Sequence, residues 1–418
     1  MKILLKSAKI IDKNSSFNNK TKDVLIENGI ITKIESKIDK PNSCKELKLK
    51  NLHISNGWFD SSVCFGEPGF EERENIEHGL EVAAKSGFTS VALNPNTNPV
   101  IDNKSAVEFL IKKSTDSAVS LHPIANLTQN ALGKELAELY DMQNSGAVAF
   151  GDYNKSVDNA NLMKIALLYT QNFDALVMSF PQDNSIATHG FVNESENTTR
   201  LGLKSIPNLS EELQISRDLF LLEYTGGKLH IPTITTSRSV QLIKAAKRKG
   251  LDVTCSVAAH HLVLTDDKIK TFDTNFKVTP PLRSKRDTKA LIKGINEGTI
   301  DMIISDHNPI DIENKNVEFE NGFFGTIGLE SLFGSVHNVL ELEQIIACLT
   351  DNPRSRFGLT QSKIENGELA NITLFDPYVS YTFNENNIYS KSKNSAFLGM
   401  QLRGMAYGII AKDQIVLK

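Results

Sequence analysis

Both ends of the chain consist of short runs in which apolar and polar residues alternate, a pattern typical of strands with one buried face. Near the start these runs cover 2–11, 22–36 and 45–55, and Asn28-Gly29 within the second run predicts a tight hairpin. The last 50 residues have the same texture in ANITLFDP, MAYGIIAKD and QIVLK. We therefore predict one small β-sandwich built from both termini.

Between the ends, eight apolar runs that read as strands alternate with eight segments of helical periodicity. One of these helices is predicted over SEELQISRDLFLLEYTGG (210–227), which ends in glycine. Such an alternation predicts a (β/α)8 TIM barrel. The expected domains are residues 1–54 and 359–418 for the sandwich and 55–358 for the barrel. A doubly wound open sheet is the alternative, but no GxGxxG follows the first strand of the middle region to favour it.

The composition of the chain limits the kinds of binding partner and the cellular compartment that we expect. The 418 residues carry a net charge of −4, so no basic field favours nucleic acid or an anionic membrane. The four cysteines are scattered without a CxxC pair and are expected to be reduced thiols. No run approaches the roughly 20 apolar residues of a membrane span, and the N-terminus lacks a signal-peptide core. We expect a cytoplasmic protein.

In a barrel of this kind, the chemistry is expected where the strands end. The segment FDSSVCFGEPG (59–69) follows the first barrel strand and places Ser62 and Cys64 two residues apart, on one face of a strand. A metal-dependent hydrolase would use imidazoles at such positions. The segment therefore has the layout of an active site without its usual ligands.

The stretch NGWFDSSVCFGEPGFEERENIEHGLEVAAKSGFTSVALNPNTNPVID (56–102) resembles the opening barrel segment of dihydroorotases in the amidohydrolase superfamily. That family's pattern is roughly PGFIDxHVHLREPG, a helix, and GGFTTVxxMPNTxPxxD. Further matches follow in register, among them TGGKLHI, AHHLVLTDD, TPPLRS and GTIDMIISDHNP. The resemblance implies a barrel with a sandwich, hydrolysis or closure of a cyclic amide in pyrimidine biosynthesis, and one or two zinc ions that activate a water.

Carried over position by position, most of the family's ligands are missing. Small or aromatic residues stand where the resemblance places metal ligands: Ser62 and Cys64 for the HxH, Tyr153 for the bridging acid, Ser179 and Thr233 for the later histidines. A slip of one residue would restore Asp152 as the bridging acid, so both positions remain open. His230 is the other histidine of the sixth-strand motif and not the ligand.

The substrate-binding residues are changed as well. Gly66 replaces the arginine that would grip a carboxylate, and Thr279 replaces an asparagine. Two residues with family roles survive: Asp306, which we interpret as a vestigial general base, and Asn96, which we interpret as a substrate-binding residue. Zinc needs three nitrogen, sulfur or carboxylate ligands, and hydroxyl groups are poor ones. We therefore predict no cofactor, and zinc only if the protein is active.

Four other residues have two readings each. Cys64 is either a nucleophile or soft-metal ligand, or a small residue that fills the space of an imidazole; no histidine in a neighbouring motif would activate it, which favours the second. His260 and His261 are adjacent and would face opposite ways on a strand, so we predict packed structural histidines. We predict a packed structural role for His307 as well.

These observations favour a dihydroorotase-like protein that is catalytically inactive and acts as a structural or regulatory partner. By family analogy the partner is aspartate transcarbamoylase, and a homo-oligomer is expected. The alternative is an active dihydroorotase, or another cyclic-amide hydrolase, with an atypical metal site. A third reading is a small-ligand binding protein that uses the vacated barrel mouth.

Overall fold

A computed structural model describes all residues, 1–418, and the first and last parts of the chain share one sheet. The N-terminal strands are β1 (Lys2–Ile10), β2 (Thr21–Glu27), β3 (Ile30–Glu35), β4 (Lys45–Leu47) and β5 (His53–Asn56). The predicted hairpin is confirmed, because Asn28 and Gly29 join β2 to β3 with φ angles of 51° and 75°.

The middle of the chain forms the barrel. Its eight strands are parallel and neighbour one another in chain order. They are β6 (Trp58–Val63), β7 (Phe88–Leu93), β8 (Ser120–Ala125), β9 (Ala149–Phe150), β10 (Leu176–Met178), β13 (Lys228–Ile231), β14 (Val253–Ala258) and β15 (Met302–Ile304). Between β10 and β13, strands β11 (Val192–Asn193) and β12 (Ser205–Ile206) form a separate two-stranded sheet. The C-terminal strands are β16 (Ile372–Thr382), β17 (Gln401–Ala411) and β18 (Gln414–Leu417).

Fourteen α-helices connect these strands. They are α1 (Ile76–Lys85), α2 (Lys104–Lys113), α3 (Leu139–Asn144), α4 (Ala160–Thr170), α5 (Asn184–Ala187), α6 (Glu196–Arg200), α7 (Asn208–Thr225), α8 (Ser237–Arg248), α9 (Ala259–Val263), α10 (Lys285–Asn296), α11 (Ile312–Lys315), α12 (Leu332–Val336), α13 (Leu342–Leu349) and α14 (Asp351–Arg356). The predicted helix over 210–227 is confirmed as α7, which ends where Gly226 takes a φ of 71°. No helix combines the length and the apolar character needed to cross a membrane.

The barrel closes between its first and last strands. Asp60 on β6 accepts hydrogen bonds from the backbone N–H of Ser305, at 3.1 and 3.3 Å, and the N–H of Cys64 donates to the carbonyl of His307 at 2.7 Å. The doubly wound alternative is therefore wrong, because an open sheet would leave both edges unpaired. Side chains from six of the barrel strands fill the interior: Phe59, Ala92, Ile124, Ala149, Leu176, Met178 and Met302.

The terminal strands join through β5 and β16, which pair antiparallel from Asn56–Ile372 to His53–Phe375. The resulting sheet runs in the order β18-β17-β16-β5-β1-β2-β3, and β4 pairs with β1. It has its own core of 16 buried apolar residues, separate from the larger core between barrel and helices. The predicted fold class, a barrel with a separate β structure made by both chain ends, is confirmed.

Candidate functional site

The ends of the barrel strands surround a small polar cavity, which we call the mouth. Its lining comes from seven strand ends and the loop before α10: Ser62, Asn94, Ile124, Gly151, Tyr153, Asn154, Met178, Phe180, Pro232, Thr233, Thr279 and Asp306. The empty volume between these atoms is about 410 Å³, but the centre of a water-sized molecule can move through only about 20 Å³ of it. That is room for one or two waters and not for a six-membered cyclic amide.

Ser62 and Cys64 are held by a residue that the sequence analysis missed. Asn94 follows β7, and its side-chain amide donates to the Ser62 hydroxyl at 2.9 Å and approaches the Cys64 sulfur at 3.8 Å. The predicted substrate residue, Asn96, is only half-buried, does not line the mouth and lies against Cys64 instead. One signal was available, because Asn94 stands where the family pattern has methionine.

Tyr153, and not Asp152, is the residue that enters the mouth. Its phenol lies beside the Cys64 thiol and the Asp306 carboxylate, and burial together with these neighbours raises the pKa of the phenol. Asp152 turns away, because its carboxylate accepts hydrogen bonds from the N–H groups of Leu127 and Thr128 at 3.0 and 3.1 Å. The structure thus places an aromatic ring where the resemblance would place a bridging acid.

Asp306 keeps its carboxylate in the mouth without a hydrogen-bond partner. Burial, reinforced by the negative charge of Asp60, raises its pKa from 3.8 to about 7. Burial also raises the pKa of the Cys64 thiol to about 12, so that thiol stays protonated at neutral pH. A protonated thiol is a poor nucleophile, which favours the space-filling reading of Cys64 over the nucleophilic one.

The two later ligand positions behave differently from each other. Thr233 lines the mouth, whereas the Ser179 hydroxyl donates to the Asp218 carboxylate on α7 at 2.6 Å. His230 lies deeper, where its ring nitrogens contact the hydroxyls of Thr254 and Ser256 at 2.9 and 3.2 Å. Burial lowers the pKa of His230 to about 3, so the ring is neutral and serves the core.

The remaining histidines lie outside the mouth. His260 and His261 lie on α9 and not on a strand, so the prediction that their side chains face opposite sides of a strand was wrong. Both rings are buried. The Nε2 of His261 donates to the Pro280 carbonyl at 2.9 Å. The Nδ1 of His307 accepts from the Gly328 N–H at 3.2 Å.

Three residues of the mouth have backbone conformations that non-glycine residues rarely adopt. The φ angles of Tyr153, Thr233 and Asp306 are 57°, 53° and 49°. Such angles cost free energy, most of all for a β-branched residue such as threonine, and they cluster at functional sites. Three of these residues at one cavity make the mouth the candidate functional site.

The donor set does not fit zinc. No three histidine, cysteine, aspartate or glutamate side chains come together anywhere in the structure as metal ligands would. The mouth offers one carboxylate, Asp306, and the buried Cys64 thiol lies behind its lining, where a catalytic zinc needs three ligands and an open position. Thr279 adds only a hydroxyl group.

The loop that follows β6 leaves no space for an arginine at Gly66. A Cβ on Gly66 would lie 1.8 Å from the carbonyl oxygen of Phe70 and 2.9 Å from that of Glu74. The same loop is closed by two backbone hydrogen bonds of 2.8 Å, from Phe70 N–H to the Gly66 carbonyl and from Gly66 N–H to the Glu74 carbonyl. The carboxylate clamp implied by the resemblance is therefore absent, and the loop excludes its return.

Comparisons with known proteins agree with this architecture. The sequence model of the Dihydro-orotase-like family matches residues 53–239. A dihydroorotase of Ruminiclostridium cellulolyticum is 39% identical over 100% of this chain and 99% of its own length, and one of Geobacter metallireducens is 35% identical over 100% of both. Among solved structures, the L-hydantoinase (dihydropyrimidinase) of Arthrobacter aurescens matches with a TM-score of 0.87 at 20% identity, covering 100% of this chain and 96% of that one.

Proposed function

The chain belongs to the dihydroorotase family of the amidohydrolase superfamily, and from that premise we propose that it is a non-catalytic member of pyrimidine biosynthesis, retained as a structural or regulatory partner. One observation carries the proposal. Tyr153 lines the mouth with its phenol beside the Cys64 thiol and the Asp306 carboxylate, where a dihydroorotase would need a metal and its water.

The chemistry of the mouth supports this reading in three independent ways. One buried thiol and a single carboxyl do not make up the three ligands of a zinc site. The closed loop at Gly66 excludes the arginine that would orient a substrate carboxylate. The free space is too small for the cyclic amide until side chains move.

The partner follows from family analogy and from the intact scaffold. Silent dihydroorotase homologues serve as structural partners of aspartate transcarbamoylase, and this chain keeps its barrel core and its hairpin. A protein without use for its fold would be expected to lose core packing as well as the site. We therefore propose aspartate transcarbamoylase of the same cell as the partner.

The experiment has two readouts on the same purified protein. Elemental mass spectrometry should find well under one equivalent of zinc, and neither dihydroorotate hydrolysis nor carbamoyl-aspartate cyclisation should be measurable with or without added zinc. Light scattering of this chain mixed with aspartate transcarbamoylase should show one complex. Stoichiometric zinc, or turnover that Asp306→Asn abolishes, would contradict the non-catalytic role; separate elution of the two proteins would contradict the partner.

Asp306 favours a second candidate, a hydrolase that works without the family's metal centre. A half-buried carboxylate with a pKa of about 7 and no hydrogen-bond partner has the protonation behaviour of a general base near neutral pH. The names of the relatives, which are dihydroorotases, also favour an enzyme. This candidate requires cyclic-amide turnover that rises as the pH passes 7, is lost in Asp306→Asn and survives in Tyr153→Phe.

A further inference from the structure

A second cavity lies where the terminal β structure meets the barrel, and it shares no lining residue with the mouth. Its walls come from the loop after β1, the end of β5 and helices α13 and α14. We call it the junction cavity. Its empty volume is about 430 Å³, and the centre of a water-sized molecule can move through about 90 Å³ of it. It therefore has room for several waters or for a hydrated ion.

Two buried carboxylates, Asp12 and Asp351, belong to the wall of the junction cavity and are 4% and 9% exposed. Asn14 contacts both, because its backbone N–H donates to Asp12 at 3.0 Å and its side-chain amide donates to Asp351 at 3.0 Å. Burial above all, and also the charge of Asp351, raise the pKa of the Asp12 carboxyl. Two buried like charges repel each other, and a cation between them removes that cost.

We propose that the junction cavity binds one hard divalent cation, Mg²⁺ or Ca²⁺, through the carboxylates of Asp12 and Asp351, the side-chain oxygen of Asn56 and water. This proposal goes beyond the function proposed above and does not depend on whether the mouth is catalytic. Three features support it: an amide oxygen without a partner, the charge of the wall and the type of its ligands.

The amide of Asn56 is the unsatisfied polar group of the wall. Asn56 is 4% exposed, lies beside the Asp12 carboxyl, and its Oδ1 has no hydrogen-bond partner. A buried acceptor without a partner destabilises the fold, and a cation at this oxygen would satisfy it. A half-turn of the amide about χ2 is enough to direct Oδ1 towards the ion. Asn56 ends β5, so the backbone that carries this ligand is fixed by the sheet.

The charge of the wall matches a divalent cation. Its ionisable residues are Asp12, Asp351, Glu343 and Lys13, and three carboxylates with one ammonium give a net charge of −2. The Lys13 ammonium contacts only Oδ2 of Asp351, at 3.2 Å, which leaves Oδ1 of that carboxylate without a partner in the protein. The Lys13 side chain is 62% exposed. It can therefore move into solvent when an ion enters.

The type of ligand selects a hard cation. The wall contains carboxylate, amide and hydroxyl oxygens but neither histidine nor cysteine, and such oxygens suit Mg²⁺ and Ca²⁺ and not zinc. Two carboxylates are enough for Mg²⁺, which keeps several of its waters when it binds to proteins. The ion would join the loop after β1 in the terminal β structure to α14 of the barrel.

Terbium luminescence of the full-length, chelator-treated protein tests the proposal. Tb³⁺ takes the oxygen ligands of Ca²⁺ and emits when a nearby indole is excited. Trp58 is the only tryptophan and follows Asn56 by two residues, so it is a built-in donor for this site. The wild type should give one saturable signal that millimolar Mg²⁺ or Ca²⁺ abolishes. The cation that competes at the lower concentration is the one that the site prefers.

Three variants separate the proposed site from general effects. Asp351→Asn should weaken Tb³⁺ binding by about tenfold or more, because it removes a charged ligand. Lys13→Gln should strengthen binding several-fold, because it removes the competing ammonium. Damage to the fold does not produce this opposite sign. Asp39→Asn is the matched control, since it removes an exposed carboxylate and should leave the affinity unchanged.

Five outcomes would overturn the proposal. They are a wild type without saturable emission, emission that neither Mg²⁺ nor Ca²⁺ displaces, unchanged affinity in Asp351→Asn, weaker binding in Lys13→Gln, and loss of binding in Asp39→Asn. Circular dichroism monitors the fold of each variant. If Asp351→Asn does not fold, the Lys13→Gln titration decides alone, because its expected effect is a gain of affinity.

Discussion

At the mouth of the barrel the chain's own side chains fill the space, whereas on the outer surface of helices α4 and α7 large apolar side chains are exposed to solvent. Tyr153 lies against Cys64 and Asp306 and leaves room for one or two waters. Phe220 and Tyr224, on the outside of α7, are exposed over most of their surface. The two regions therefore differ in what the fold does with large side chains: it buries them at the strand ends and leaves them exposed on the outside of α7.

Helix α10 gives a reference for the outer surface. On α10 the exposed positions are mostly charged, with Lys285, Arg286, Lys289 and Lys293 facing water. This is the ordinary amphipathic pattern, in which one stripe is buried and the opposite face is polar. Because α7 belongs to the same barrel and departs from that pattern, an exposed apolar stripe is not shared by every outer helix of the fold.

The largest expected effect comes from placing zinc ligands in the mouth. Ser62→His, Cys64→His and Tyr153→Asp, together with native Asp306, supply four zinc ligands in the cavity. We expect about one equivalent of zinc by elemental mass spectrometry where the wild type holds well under one. The same variant with Asp306→Asn is the control and should bind zinc more weakly. A folded triple variant without zinc would show that these strand ends do not converge as described.

The next effect concerns the closed loop beside the mouth. Gly66→Ala should lower the free energy of unfolding by about 3 kcal/mol, because its Cβ would meet the Phe70 carbonyl at 1.8 Å and the loop must shift. Gly133→Ala is the control, since a Cβ there meets nothing within 4 Å and only its φ of 67° is unfavourable, at about 1 kcal/mol. Urea denaturation of both variants measures the difference, and equal losses would contradict the closed loop.

Another effect depends on pH. Because the pKa of Asp306 rises from 3.8 to about 7 on folding, the native state keeps its proton between about pH 4 and 7 while the unfolded chain releases it. Stability therefore falls as the pH rises through this window, and the loss is complete above pH 7. Asp306→Asn should be more stable than the wild type by about 4 kcal/mol at pH 8 and equally stable near pH 3.5.

Denaturant unfolding of Asp306→Asn at several pH values checks this sign. The slope does not vanish in the variant, because burial also raises the pKa of Asp60 to about 7. Asp39→Asn, at an exposed position, should leave the profile unchanged. A variant that is less stable than the wild type at pH 8 would mean that the Asp306 carboxylate has a favourable partner in solution.

The smallest expected effect concerns the exposed aromatic residues of α7. Phe220→Ser and Tyr224→Ser should change the free energy of unfolding by less than about 0.5 kcal/mol, since these side chains are mostly exposed. Thermal unfolding at low protein concentration measures this change. A large loss of stability would indicate that the two residues support the fold.

Much of the fold could be predicted from local patterns. The Asn28-Gly29 hairpin needs only two residues with positive φ, and the helix over 210–227 needs only its apolar period and a terminal glycine. The barrel follows from the alternation of strands and helices, and the changed ligand positions follow from the register of short motifs. These features are encoded by neighbours in sequence, so one sequence suffices to find them.

The site itself was decided by contacts between distant segments. Only the folded chain shows that Asn94 and not Asn96 enters the mouth, that Tyr153 faces the cavity while Asp152 faces Leu127, and that Phe70 closes the space at Gly66. The direction of a side chain after a strand depends on φ and ψ, and one residue of slip reverses it. The raised pKa of Asp306 likewise needs burial, which no sequence neighbour supplies.

The sequence by itself determined the barrel, the terminal β structure and the loss of imidazoles at the strand ends, because periodicity and residue identity are local properties. Only the tertiary structure decided that the vacated mouth is filled by Tyr153 and that the stripe of α7 faces solvent beside α4. The buried side of α7 carries polar residues such as Glu211, Gln214 and Asp218, so the hydrophobic pattern of the helix alone does not show which side is covered. Which side remains uncovered is fixed by the packing of α7 against α4, α8 and β13, and that arrangement exists only in the assembled barrel.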